Sequence, residues 1–202
     1  MTKPPPVNQR ALESLLADLR SAVIGTTHNQ FIGPGGDARM GNVRAYLATR
    51  AGADVLAVGE AGGYRGARWS GIAFTSERQL MEWGPPFAVT SDRPGGWTEP
   101  SATIVHGALR DLDAEQRVVL WNVVPHHPHR PGAPLSNRRP TAAEARAGAA
   151  FLHRVIELVA PSQVIAVGRV AEAALPGVPV VRHPAQGGAT AFRAGITALL
   201  GR

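Results

Sequence analysis

One carboxylate, Glu60, stands in the run GEAGGYRGARWSGIAF at residues 59–74, directly after the apolar stretch DVLAV. Asn122 lies near the end of a second apolar stretch, RVVLWNVV (117–124), and His183 near the end of another, VPVVRHP (178–184). An acid, an amide and an imidazole can together move a proton, read a hydrogen-bonding edge and donate to an oxygen on which negative charge grows. The glycines around Glu60, with Gly59 and Ala61 as its small neighbours, let the backbone come close to a ligand. Phe74 offers a flat apolar face on which a planar ring can stack. Trp69 reads more simply, as a plug that holds the glycine loop on the core. Structural readings stand beside each chemical one. Glu60 could cap the segment that follows, Asn122 could satisfy buried backbone groups at a strand end, and His183 could be a turn residue before Pro184.

The elements that must position these residues follow from the hydrophobic pattern. DVLAV (54–58), RVVLWNVV (117–124), QVIAVG (163–168) and VPVVRHP (178–184) are short apolar runs of buried-strand type. Helical spacing is predicted over 8–25, where Leu12, Leu15, Leu16 and Leu19 form a stripe, and over 38–52 and 102–112. The clearest helix follows Thr141, with Glu144 three residues on as a capping box. GRVAEAAL and ATAFRAGITALLG supply two more helices. Residues 59–102 are rich in glycine and proline and poorly patterned. Strands alternating with helices predict an α/β fold, a three-layer α/β/α sandwich around a four-stranded parallel sheet. Ligands of such sheets bind beyond the C-terminal strand ends, where Glu60, Asn122 and His183 would converge. Residues 1–7 read as a disordered Pro-rich lead, and 8–202 as one domain.

The 202 residues carry a net charge of +6, mostly through arginine, which favours a polyanionic partner. Arg65, Arg68, Arg130, Arg138, Arg139, Arg182 and Arg193 fall in loops or at element ends near the proposed rim, where guanidinium groups suit phosphate oxygens. The sequence contains no cysteine, which excludes disulfides, thiolate metal sites and iron–sulfur clusters. HHPH, with His126, His127 and His129, admits a metal reading. Its prolines splay neighbouring imidazoles and no carboxylate lies close in sequence, so a structural or phosphate-contacting loop is favoured. No metal and no cofactor is expected. GPGGDA (33–38) matches a dinucleotide pattern in form only, because no strand precedes it. Without an apolar signal core or a run long enough to span a bilayer, a cytoplasmic protein off the membrane is expected.

The order of motifs VGEAGGYRG…SGIAF, LWNVVP, LSNRRPTAAEARAGAAFLHRVIELVAPSQVIAVGRVAEAAL and VRHPAQGG resembles the uracil-DNA glycosylase superfamily. It is most similar to the family 4-like branch whose first motif begins GEAPG, over about residues 54–196. The resemblance implies a monofunctional base-excision repair enzyme that flips uracil out of DNA and hydrolyses its bond to the sugar. It makes Glu60 the acidic residue of the first motif, Phe74 the stacking aromatic, Asn122 the reader of the uracil edge and His183 the donor to the base carbonyl. Arg65, Arg68, Arg130, Arg138, Gln186 and Arg193 become candidate DNA contacts. The implied partner is single- or double-stranded DNA containing a deaminated base, and a monomer suits scanning of it.

The sequence departs from that pattern at several points. The branch usually holds an iron–sulfur cluster, which this chain without cysteine cannot bind. Gly62 replaces the motif proline, and Ala61 stands where the best-known branch has an aspartate, so the water-activating group is open. HPAQGGATAFR offers no bulky wedge; Gln186 or Arg193 stands where one is needed. Hypoxanthine and xanthine share the lactam edge of uracil and are alternative substrates. A non-catalytic module that binds DNA or a modified base, and an N-glycosidase of free nucleosides, are the competing classes.

Overall fold

The computed structural model describes residues 7–201. β1 (Val55–Ala61), β2 (Val118–Val124), β3 (Gln163–Val167) and β4 (Val180–Val181) form one sheet in the order β2-β1-β3-β4. Every neighbouring pair is parallel, as the alternation of strands and helices predicts. Helices flank the sheet: α1 (Gln9–Ser21), α2 (Gly36–Thr49), α3 (Ala67–Ser70), α4 (Glu77–Trp83), α5 (Pro100–Asp111), α6 (Ala142–Val159), α7 (Arg169–Ala174) and α8 (Ala189–Leu200). The expected lead falls outside the described residues up to residue 6. Val7 is described and packs, partly buried, against the core.

The leucine stripe of α1 is buried, and the Asn8 side chain caps the helix by accepting from the Ala11 amide at 3.1 Å. The helix stops at Ser21, before the predicted 25, because the Asn29 amide nitrogen donates to the carbonyls of Leu19, Arg20 and Ala22. α2 begins at Gly36, preceded by Gly33 and Gly35 in the left-handed region; its GPGGDA start follows a loop and not a strand. Two helices inside the poorly patterned stretch were not predicted. One of them, α4, carries a capping box between Ser76 and Gln79, a signal that is present in TSERQ. β4 is much shorter than the predicted 178–184. Pro179 has no amide to donate, and Pro184 limits the other end.

β2 is outermost in the sheet, yet all seven of its residues are buried. The Tyr46 hydroxyl accepts from the Leu120 amide at 2.9 Å on its free edge. α6 lies so close to β2 that a Cβ at Gly148 would run into the Val123 carbonyl oxygen and come within 3.0 Å of Val124 Cα. Gly148→Ala should therefore destabilise the protein by about 1–3 kcal/mol in urea unfolding, although alanine is the better helix former. An unchanged midpoint would show that α6 has room to shift.

Candidate active site

β1 and β2 run side by side with Gly59 opposite Asn122. A Cβ at Gly59 would strike the edge of the Phe74 ring and lie 2.7 Å from Asn122 Oδ1. The missing side chain thus lets three groups meet at the C-terminal end of the sheet. Phe74 and Asn122 line a cavity of about 950 Å³ together with Glu60, His183 and Gln186. The cavity opens where the strand order departs to both sides of β1, the place where an open α/β sheet binds its ligand.

Glu60 belongs to β1 itself, one residue from its end. Burial raises its carboxyl above the ordinary range, and the positive charge of Arg139 opposes that. Asn122 is buried, and among the described residues its side-chain amide has no hydrogen-bond partner. The amide opens onto the cavity, where water or a ligand can supply its partners. Phe74 is buried against the core and held at φ 50, in the left-handed region that a bulky residue seldom adopts. Such strain persists only where the surroundings impose it, and it gathers at functional sites. The Phe74 ring lies 5.6 Å from that of His183. The Ala185 amide donates to His183 Nδ1 at 3.1 Å, which fixes the proton of the neutral ring on Nε2. Burial first, and then Arg182, lower the His183 pKa, so the ring is neutral near pH 7 and Nε2–H is its donor.

The HHPH segment anchors this wall. His126 and His127 are fully buried. His127 Nδ1 lies 2.7 Å from the Gly62 carbonyl, and the His126 carbonyl accepts from the Gly62 amide at 3.2 Å. His126 Nε2 faces the Leu19 carbonyl at 3.3 Å, and burial depresses its pKa to about 4. The two imidazoles thus tie the loop after β2 to the loop after β1 and to α1, which is structural work.

The arginines divide. Arg138 and Arg139 line the cavity, as do Arg182 and Arg169, the last of which sequence reading did not single out. Arg138, however, forms a two-pronged ion pair with Glu144 at 2.6 and 2.7 Å, so its charge is already neutralised. The guanidinium of Arg68 donates to the Pro134 carbonyl. Arg65 lies over the Tyr64 ring at 5.2 Å, and neither Arg65 nor Arg130 is part of the cavity wall. Arg193 was expected near the rim, and the structure corrects this. Arg193 sits in α8 and pairs with Asp111 of α5 at 2.7 Å, so it joins two helices. Gln186 is exposed on the rim with a left-handed φ of 52.

Asn137 and Glu99, like Arg169, line the cavity and escaped the sequence reading. Asn137 accepts from the Tyr64 amide at 2.9 Å and fastens the Glu60 loop. Glu99 reaches the cavity from the start of α5. It lies far from every motif, and only its place before Pro100, a helix-starting proline, marked it in sequence.

The fold thus gathers an acid, an amide, an aromatic ring and a neutral histidine around one cavity at the strand ends. The family model of the uracil DNA glycosylase superfamily matches residues 48–198. The chain belongs to that superfamily, whose enzymes act on DNA. A crystal structure of wild-type SMUG2 from Pedobacter heparinus shares the fold, with a TM-score of 0.63 at 14% identity, over 94% of this chain and 97% of that one. No curated protein matches the sequence. Among the described residues no helix is long and apolar enough to cross a membrane.

Proposed function

We propose that the protein is a monofunctional glycosylase that removes uracil from DNA after flipping it into the cavity. The observation that carries this reading is the Asn122 amide, which has no hydrogen-bond partner among the described residues and lines the same cavity as Phe74 and His183. The amide can accept from uracil N3–H and donate to O4, whereas cytosine presents the opposite pattern and leaves both groups unpaired. Phe74 stacking offsets part of the unstacking cost, by about 1–3 kcal/mol. His183 donates to the base oxygen as the glycosidic bond breaks and charge builds there. Glu60, whose carboxyl burial raises and Arg139 partly opposes, faces the positive charge that develops on the sugar. Arg139, Arg169 and Arg182 place positive charge on the cavity wall for the phosphates. A cytoplasmic, monomeric enzyme fits this role.

The test is excision from single- and double-stranded oligonucleotides carrying one uracil, read as alkali-labile sites. The wild type should produce them, and Glu60→Gln should slow single-turnover excision by about a hundredfold. Asn122→Ala should lose uracil selectivity along with rate. Absence of uracil excision in both substrates would sink the reading. Excision of hypoxanthine or xanthine alone would move the substrate to a deaminated purine with the same lactam edge. Salt-sensitive binding without excision of any base would make the chain a DNA-binding module.

A further inference from the structure

The geometry points to Glu99 as a second carboxyl of the active site, the base that takes the proton of the attacking water. The inference rests on the proposed glycosylase activity and deepens it, since Ala61 leaves the first motif without a second acid beside Glu60.

Glu99 is the residue that caps α5, yet its side chain makes no capping hydrogen bond. An acidic residue there gains by accepting from the first helical amides and by facing the positive end of the helix dipole. Glu99 forgoes both. Its carboxyl oxygens are turned instead onto the loop after β1: Cβ atoms at Gly63 and Gly66 would collide with Oε1 and Oε2 respectively. Those glycines, three and six residues beyond Glu60, leave the space that the carboxyl occupies on the cavity wall. No hydrogen bond or ion pair reaches it from another described residue, so its oxygens are available to a water or a substrate.

The placement is enforced. The Glu77 carboxylate accepts from the amides of Thr90, Ser91 and Trp97 at 2.8, 2.8 and 2.9 Å, which fixes the segment leading to Glu99. Trp97 then stacks on Trp69 at 5.9 Å and meets Tyr64 edge-on at 6.0 Å, clamping that segment over the glycine loop. So many contacts hold Glu99 in a position that costs it its cap.

Burial pushes the Glu99 carboxyl up to about 7, a value suited to accepting a proton near neutral pH. The charged and titratable groups on the same cavity are Glu60 on β1, Arg138 and Arg139 after β2, Arg169 and Glu172 on α7, and Arg182 and His183 after β4. The two carboxyls then divide the work. Glu60, with the Arg139 charge opposing the effect of its burial, faces the sugar cation. As the C1′–N bond breaks, its electron pair leaves with the base, held by His183. The water oxygen bonds to C1′, and its proton passes to Glu99 and from there to solvent or the departed base. Two carboxyls in unequal surroundings taking separate roles is a recurrent arrangement.

The test is single-turnover excision of uracil from an oligonucleotide between pH 5.5 and 9, with anisotropy binding to an abasic-site oligonucleotide alongside. The wild-type rate should rise with pH through about 7. Glu99→Gln should be roughly ten- to a hundredfold slower and lose that rise, with binding little changed. If Glu99→Gln is unfolded in thermal melting, Glu99→Asp decides. A slower enzyme that keeps the rise supports the role, and an unchanged rate overturns it. A Glu99→Gln rate within threefold of wild type with the rise intact overturns the inference and leaves the glycosylase reading standing. A rate lost only in proportion to binding also overturns it. A wild type silent on uracil, hypoxanthine and xanthine overturns both.

Discussion

Gly59→Ala should reduce base excision by roughly a thousandfold or more, without unfolding the protein. One methyl group there would meet the Phe74 ring edge and stand 2.7 Å from Asn122 Oδ1. Both belong to the site, and neither can retreat freely. Phe74 is wedged in a left-handed backbone, and Asn122 sits in a fully buried strand paired with Gly59 itself. A displacement of about 1 Å in a positioning group costs on the order of a hundredfold in rate. Loss of base stacking adds about 1–3 kcal/mol. Overpacking of the strand pair should cost about 1–3 kcal/mol of stability. Single-turnover kinetics and urea unfolding of the same variant separate the two effects. A variant that excises at more than a tenth of the wild-type rate would mean that the ring and the amide have room to adjust, and that the packing around Gly59 does not define the site.

Arg138→Met should be the most destabilising single change among the site-lining residues, by about 3–5 kcal/mol, because it strands a buried carboxylate. Glu144 accepts both prongs of Arg138 together with the Thr141 and Thr26 amides, and its side chain is 3% exposed. The Arg138 guanidinium, first, and the backbone amides hold its carboxyl down at about 2. A carboxyl whose pKa is lower folded than unfolded stabilises the fold at pH values above its unfolded pKa. That stability is lost as pH falls through the range between the two values, here from about 4.5 toward about 2. The lost part amounts to about 3 kcal/mol in the wild type. Urea unfolding at pH 7, 4 and 2.5 should show it, and Arg138→Met should show a smaller acid-dependent loss from a lower starting stability. Equal stabilities at pH 7 would show that the pair contributes nothing net. The pair also explains why Gly25 is glycine: a Cβ there would overlap the Glu144 carboxylate, and its φ is 54. Arg138 therefore holds the loop after β2 to the start of α6 and the segment after α1, and its contribution to the site is the position of Asn137 and Arg139.

Much of the architecture was legible because its signals are local. The apolar runs at 54–58, 117–124 and 163–168 read as buried strands between helices, and Thr141 with Glu144 announced the start of α6. Glu60, Asn122, Phe74 and His183 could be picked out because motif order ties each to a strand end or to the glycine loop. The parts that were missed depend on partners far away in sequence. α1 ends where Asn29 reaches back to its carbonyls, and β4 is short because Pro179 has no donor for a longer ladder. Arginine side chains are long, so a loop position alone does not say which way a guanidinium turns. Arg193 turned to Asp111 and Arg138 to Glu144, while Arg139 and Arg182 line the cavity.

The sequence by itself determined the α/β alternation, the superfamily and the residues at the strand ends, since strand periodicity and motif spacing are properties of neighbouring residues. Only the tertiary structure decided which charges are free. It set Glu99 against Gly63 and Gly66 across a segment of some thirty residues, clamped by Glu77 and the Trp69–Trp97 stack. Whether a carboxyl caps its helix or faces a cavity depends on what packs above it, and that is written in no stretch of sequence around it.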